Sequence, residues 1–118
     1  MRPHRKLIVW QESIQMVKNI YLITQSFPET EKFGIISQIR RAAVSISCNI
    51  AEGAARNTKK EFRNFLYISS GSSSEVDTLL IISKELGFLK EEDLKNLESK
   101  NDKVAALLNG LIKSIVIT

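Results

Sequence analysis

The sequence predicts an all-α protein, an antiparallel up-and-down four-helix bundle formed by one domain over residues 1–118. Four segments repeat apolar residues at the three-and-four spacing of a single helix face. The connections between them are short, which makes sequential helices antiparallel neighbours. No run reads as a convincing strand: LIVW at Leu7–Trp10 and SIVIT at Ser114–Thr118 are the only β-like stretches. With 43% hydrophobic residues, 25% charged residues, two prolines and five glycines, the chain has the composition of a soluble domain able to bury one core.

The first helix is expected over about 9–25. Trp10, Ile14, Val17 and Tyr21 form its apolar stripe, and Gln11, Glu12, Gln15, Lys18 and Asn19 its polar side. It stops at SFPET, where Pro28 disfavours helical geometry for Phe27. The second helix is expected over about 31–52, with Ile35 or Ile36, Ile39, Ala43, Ile46 and Ile50 in the stripe and Ala42 alongside. Gly53 then stands where a helix often ends in a left-handed residue.

The third helix, about 58–86, has the clearest start. Thr58-Lys59-Lys60-Glu61 matches a capping box, in which the Thr58 hydroxyl accepts from the Glu61 amide and Glu61 reaches back. Its middle is ambiguous, because five serines and Gly71 fill Ser69–Ser74, the composition of a flexible linker. The phase of the flanking apolar residues argues against a linker. Leu66 to Leu80, Phe62 to Val76 and Phe65 to Leu79 are each fourteen residues apart, two heptads, and a free linker has no reason to keep that register. Continuous helix places Ser69 and Ser72 or Ser73 in the stripe, where small side chains let another helix approach. Gly71 is assigned to the same narrow waist, at a cost of about 1 kcal/mol in helix propensity. Leu86-Gly87-Phe88 ends the segment.

The fourth helix is expected over about 91–113. Glu91, Glu92 and Asp93 suit the positive end of its dipole. Leu94, Leu97, Val104, Leu107, Leu108, Leu111 and Ile115 supply the stripe. Asn101 falls in phase with them, the position of a polar residue that sets register.

Little in the chain is equipped for catalysis. His4 is the only histidine and Cys48 the only cysteine, so there is no intramolecular disulfide and no multi-cysteine metal site. Glu-x-x-His, the di-metal pattern of helical bundles, does not occur. EGAARNTKK lacks the spacing of a phosphate-cradling glycine loop. No catalytic residue, metal or cofactor is assigned. No stretch approaches a membrane span, and the apolar run Leu7–Trp10 is too short for a secretory signal; a cytoplasmic protein is expected.

Charge is uneven. Met1–Arg63 holds 11 Lys/Arg against 5 Asp/Glu, and Asn64–Thr118 holds 6 against 8, within a formal net charge of +4. Arg56, Lys59, Lys60 and Arg63 straddle the start of the third helix, where backbone amides favour an anion. With Arg40 and Arg41 they form a candidate phosphate-binding patch. Ion pairs to Glu52 and Glu61 at a solvated helix entrance are the alternative.

The run QIRRAAVSISCNIAEGAARNTKKEFRNFLYISSGSSSEVDTLL resembles the signature of a bacterial family of small four-helix-bundle proteins, many encoded in intervening sequences within 23S rRNA genes. The most specific matches are Ser45-Ile46, Asn49-Ile50-Ala51-Glu52-Gly53, Arg56, Lys59-Lys60-Glu61-Phe62, Phe65-Leu66 and Gly71-Ser72 with Glu75. Similar proteins often carry Pro-Ser where Ser47-Cys48 stands, and a glycine or aromatic residue near Ala54-Ala55. The resemblance implies a bundle that assembles into a ring-like homo-oligomer, a pentamer, with no established enzymatic activity. The similar accessory proteins of diversity-generating retroelements work with a reverse transcriptase and nucleic acid. It therefore implies either a basic surface that contacts RNA or a ribonucleoprotein, or a protein scaffold docking a nucleic-acid enzyme.

Within the motif, Asn49, Glu52, Gly53, Thr58, Glu61, Gly71 and Ser72 read as structural. Asn49 is placed to bond the following loop or a serine of the third helix. Glu52, at a negative helix end, calls for an arginine partner such as Arg40 or Arg56.

Overall fold

The computed structural model describes residues 2–117, and four helices account for most of them. They are α1 (Ile8–Thr24), α2 (Ile35–Ala54), α3 (Lys59–Glu85) and α4 (Glu91–Ser114). No strand occurs among the described residues. Each helix packs on its two neighbours in the order α1, α2, α3, α4, with α4 closing back on α1. The result is an all-α four-helix bundle measuring 48 × 22 × 21 Å. Its long axis is set by α3, whose 27 residues span about 40 Å at 1.5 Å per residue.

Leu7–Trp10 does not form a strand. A 3-10 turn covers Pro3–Lys6, Leu7 is extended, and α1 begins at Ile8. At the other end α4 runs through Ser114, and Ile115–Ile117 continue without regular structure. Thr118 lies outside the described residues.

The buried face of α1 is Val9, Ser13, Met16, Ile20 and Thr24, one position away from the stripe expected from Trp10, Ile14, Val17 and Tyr21. Trp10 and Val17 pack at its margin, while Ile14 and Tyr21 are 38% and 41% exposed. The true stripe is concealed in the sequence because two of its members carry hydroxyls. Both are satisfied inside the bundle: Ser13 Oγ donates to the Trp10 carbonyl at 2.7 Å, and Thr24 Oγ1 to the Ile20 carbonyl at 2.7 Å.

α2 starts at Ile35, four residues after the expected Glu31. Glu29–Glu31 instead form a 3-10 turn, and Gly34 breaks the path at φ −103°, ψ −117°. The Glu31 carboxylate accepts from the Ile35 amide at 3.3 Å, satisfying one of the free N–H groups of the first turn. Ile36, Ile39, Ala42, Ala43, Ile46 and Ile50 are buried as their spacing requires.

α3 is continuous through its serine-rich middle. Thr58 Oγ1 accepts from the Glu61 amide at 3.1 Å. The Glu61 carboxylate reaches back to the Thr58 hydroxyl, also at 3.1 Å, rather than to its amide. At the far end Gly87 has φ +79°. The Phe88 amide bonds the Ser83 carbonyl and the Gly87 amide bonds the Lys84 carbonyl, the paired bonds of a Schellman turn.

Ser69, Ser72 and Ser73 are buried and supply the close contacts of the bundle. Ser69 Oγ donates to the Ile46 carbonyl at 2.9 Å, a bond that brings the α2 and α3 backbones together. Ser72 Oγ meets Ser45 Oγ at 2.9 Å. Across the next seam Ser73 Oγ donates to Asn101 Oδ1 at 2.8 Å, and Asn101 Nδ2 donates to the Ser73 carbonyl at 3.0 Å. Ser13 and Ser47 join α1 to α2 at 2.7 Å. Because Ser13 gives its proton to Trp10, Ser47 is the donor in that pair.

Two glycines differ from expectation. Gly71 faces solvent, and a Cβ there would meet nothing within 4 Å, so it contributes no close packing. Gly53 does not end its helix in a left-handed conformation; α2 passes through it to Ala54. A Cβ on Gly53 would lie 2.7 Å from Phe65 Cβ and 3.2 Å from the Phe62 carbonyl. Gly53 is the residue that lets α3 start directly against α2.

Three substitutions separate these roles in thermal or denaturant unfolding. Ser73→Leu inserts methyl groups and strands the Asn101 amide, and should cost about 3 kcal/mol or more. Gly53→Ala should cost about 1–3 kcal/mol by overpacking. Gly71→Ala should stabilise the isolated bundle by about 0.5–1 kcal/mol through helix propensity alone.

Candidate nucleic-acid interface

The connection between α2 and α3 is only Ala55–Thr58, so the end of one helix and the start of the next share a single site. Arg56 occupies its centre. Its Nη2 lies 2.8 Å from Glu52 Oε1 and its Nη1 3.9 Å from Glu61 Oε2. The guanidinium carbon sits 4.9 Å from the Phe65 ring centroid. Arg56 therefore neutralises the carboxylate at the C-terminal end of α2 and ties it to the first turn of α3. Of the two partners expected for Glu52, Arg56 is the one in place. Arg40 is committed elsewhere: its Nε donates to Thr24 Oγ1 at 2.9 Å and its Nη2 to the Tyr21 carbonyl at 3.3 Å.

Asn49 reaches the serine seam indirectly. Its Nδ2 donates to the Ser45 carbonyl at 2.9 Å and to Ser45 Oγ at 3.0 Å, and Ser45 in turn meets Ser72. The motif residues Asn49, Glu52, Gly53, Thr58, Glu61 and Ser72 thus all lie along one seam, between α2 and α3. Gly71 stands apart from it on the solvent side.

The six cations read from the sequence do not form one patch. Arg40 and Arg41 lie in the second turn of α2, and Arg56 lies beyond its other end, about 20 Å away at 1.5 Å per residue. Lys59 and Lys60 are exposed and make no ion pair among the described residues. Arg63 is half-buried, and its Nε is buried without a hydrogen-bond partner.

A different grouping, not read from the sequence, comes from the topology. The up-and-down path returns the N-terminal 3-10 turn, the α2–α3 connection and the end of α4 to the same end of the bundle. The turn packs on α2 as well as α1, and Ile117 shares a surface hollow with Thr58, Lys59 and Lys60. Arg2, Arg5, Lys6, Lys59, Lys60 and Lys113 therefore collect there. The opposite end carries Glu29, Glu31, Glu85, Glu91, Glu92 and Asp93, with Lys84 paired to Glu91 at 3.4 Å. The excess of cations in the first half of the sequence becomes a contrast between the two ends.

His4 packs edge-on against Trp10, with ring centroids 4.9 Å apart. Cys48 is exposed on α2. No group of three or more His, Cys, Asp or Glu side chains is placed to hold a metal among the described residues. Among the described residues, no helix is long and apolar enough to cross a membrane.

A family model described as 23S rRNA-intervening sequence protein matches residues 5–110. Among solved structures, one is a protein of unknown function from the S23 ribosomal protein family of Bacteroides thetaiotaomicron. It superposes with a TM-score of 0.82 at 23% identity, over 91% of this chain and 100% of that one, a likeness of fold. No curated protein matches the chain.

Arg56→Ala should lower stability by about 1 kcal/mol or less, because its ion pairs are largely solvated. Lys59→Ala and Lys60→Ala should leave the unfolding midpoint unchanged. A midpoint equally insensitive to all three would remove Arg56 from its bridging role.

Proposed function

The chain belongs to the 23S rRNA-intervening sequence protein family, and from that premise we propose that it is a non-enzymatic, homo-oligomeric bundle that binds RNA or a ribonucleoprotein through basic surface. The observation that carries this reading is the concentration of cations at one end, with Lys59 and Lys60 free of ion pairs. Cations without carboxylate partners are the ones that can release counterions from a phosphate backbone. Arg56 contributes less than its position in the sequence suggests, since Glu52 and Glu61 already neutralise it.

The second part of the reading, self-association, is supported by the outward face of α3. Tyr67, Ile68, Ile81 and Ile82 are each more than two-fifths exposed there, and between them Gly71 leaves open space. Apolar residues flanking a small-residue waist suit the close approach of a helix from another copy. A pentameric ring is the assembly expected from the resemblance. The same row favours the alternative, a scaffold that docks a nucleic-acid enzyme.

Binding of structured RNA across a salt series tests the first part. Affinity should fall steeply with salt, and Lys59→Ala with Lys60→Ala should weaken binding uniformly across sequences while reducing the slope of log K against log salt by about 0.9 per lost contact to a duplex. Absence of binding at low salt overturns it. Solution mass tests the second part: the protein should be larger than a monomer of 13.3 kDa, and Ile68→Glu with Ile82→Glu should reduce it to one.

A further inference from the structure

Phe33 is the most exposed large apolar side chain among the described residues, at 89%. The core does not need it. The end of the bundle beside it is closed by Phe27, which is buried and packs on Phe88 with centroids 5.8 Å apart. Phe33 instead stands at the head of a groove of about 530 Å³ that follows the outer side of α2 past Tyr21, Ile36 and Val44. Three cations also line this groove, Lys32, Arg40 and Arg41. None takes part in an ion pair among the described residues. The nearest carboxylate in sequence, Glu31, is turned to the Ile35 amide.

The cations are also differently held. Arg40 is fixed: besides its bonds to Thr24 and Tyr21, its guanidinium carbon lies 4.4 Å from the Tyr21 ring centroid. Its Nη1 makes no bond within the described chain. The Lys32 ammonium lies 5.7 Å from the Phe33 centroid, and Arg41 is exposed. An aromatic ring in solvent interleaved with cations that make no ion pair, one of them fixed in place, suits a ligand with flat π-faces joined by anionic groups, which describes a single-stranded nucleic acid. A duplex hides its base faces and cannot use the ring.

We propose that the groove along α1 and α2 holds single-stranded RNA, with an unpaired base stacked on Phe33 and the flanking phosphates on Lys32, Arg40 and Arg41. This rests on the RNA-binding reading above and specifies the form of RNA; it places the base-contacting site at the end of α2 away from Lys59 and Lys60.

The test uses the full chain and a short oligouridylate carrying 2-aminopurine, whose fluorescence is quenched by stacking. Binding should quench the probe. Phe33→Ala should abolish the quench and weaken binding about tenfold, the effect of one lost stacked base, and Phe33→Trp should retain both. Arg41→Ala should lower the slope of log K against log salt by about 0.7, the value for one single-strand phosphate. Phe33→Ala that binds the strand normally, while Lys59→Ala with Lys60→Ala binds it poorly, overturns the groove and leaves RNA binding intact. Equal affinity for a duplex of the same length overturns the single-strand assignment. A change in solution mass on Phe33→Ala makes the groove an interface between copies and overturns the proposal. Failure to bind RNA of any form overturns both readings together.

Discussion

The bundle depends on the hydrogen bond from Ser69 to the Ile46 carbonyl. A side chain as short as serine can reach the main chain of another helix only if the two backbones are close, so this contact sets the separation of α2 and α3. It belongs to a polar layer at mid-height. Ser13, Ser47, Ser73 and Asn101 lie roughly a dozen residues from the acidic end along their helices, with Ser69 one turn further along α3, and every one is buried and bonded. Leaving any of these groups unpaired would cost about 1–3 kcal/mol, whereas sliding a helix by one turn would unpair several together. Apolar stripes tolerate such slips more readily than hydroxyl pairs do, so the layer selects one register from the several that Leu and Ile alone would allow.

That register then builds the α2–α3 corner. With the two helices locked at Ser69 and Ser72, Gly53 must lie opposite Phe62 and Phe65, at a distance that excludes a Cβ. The chain has only Ala55–Thr58 in which to turn, and the capping bonds of Thr58 and the Arg56 bridge fill that span. Motif residues that look like a ligand site in one dimension, Asn49, Glu52, Gly53 and Glu61, are thereby accounted for by packing. What remains outside this account is on the surface: Lys59 and Lys60 at one end, Phe33 and Arg41 towards the other, and the apolar row on α3.

The helical fold was legible in the sequence because α2 carries a stripe of unambiguous phase, because α4 keeps its phase from Leu94 to Leu108 although Ile112 rather than Leu111 is buried beyond it, and because fourteen-residue spacings link the two halves of α3 across its serines. The phase of α1 was not legible. A buried hydroxyl bonded to a carbonyl one turn back looks the same in sequence as an exposed one, so Ser13 and Thr24 were hidden while Ile14 and Tyr21 stood in for them. The glycines misled for a related reason. Gly53 and Gly71 are the same residue in a helical context, and only the partner helix decides which one needs to lack a Cβ. At the candidate interface, the individual cations were visible but their grouping was not. Which of them is neutralised depends on side-chain reach at a corner, as with Arg56, and which of them gather depends on returning the N-terminal turn to the α2–α3 connection. Phe33 gave no periodic signal because it falls in a turn, outside any stripe.

The charge contrast between the two ends has a further physical consequence. In an up-and-down bundle the helix dipoles alternate in direction, so their fields largely cancel at each end. The potential at the end bearing Lys59 and Lys60 therefore comes from side chains, and it is screened over about 10 Å at 0.1 M salt. Such a field can draw a polyanion toward the surface, but it cannot distinguish one sequence or strand form from another. Discrimination needs a contact with a base, and the cationic end presents no large aromatic ring as exposed as Phe33; the nearest, Tyr67, stands two turns along α3 from Lys60, in the apolar row assigned above to self-association. Phe33 and Tyr21 are on the other part of the bundle, beside Arg40 and Arg41. Under the two proposals, attraction and selectivity are carried by opposite ends of the bundle, and the polar layer that fixes the register of its helices fixes the distance between them.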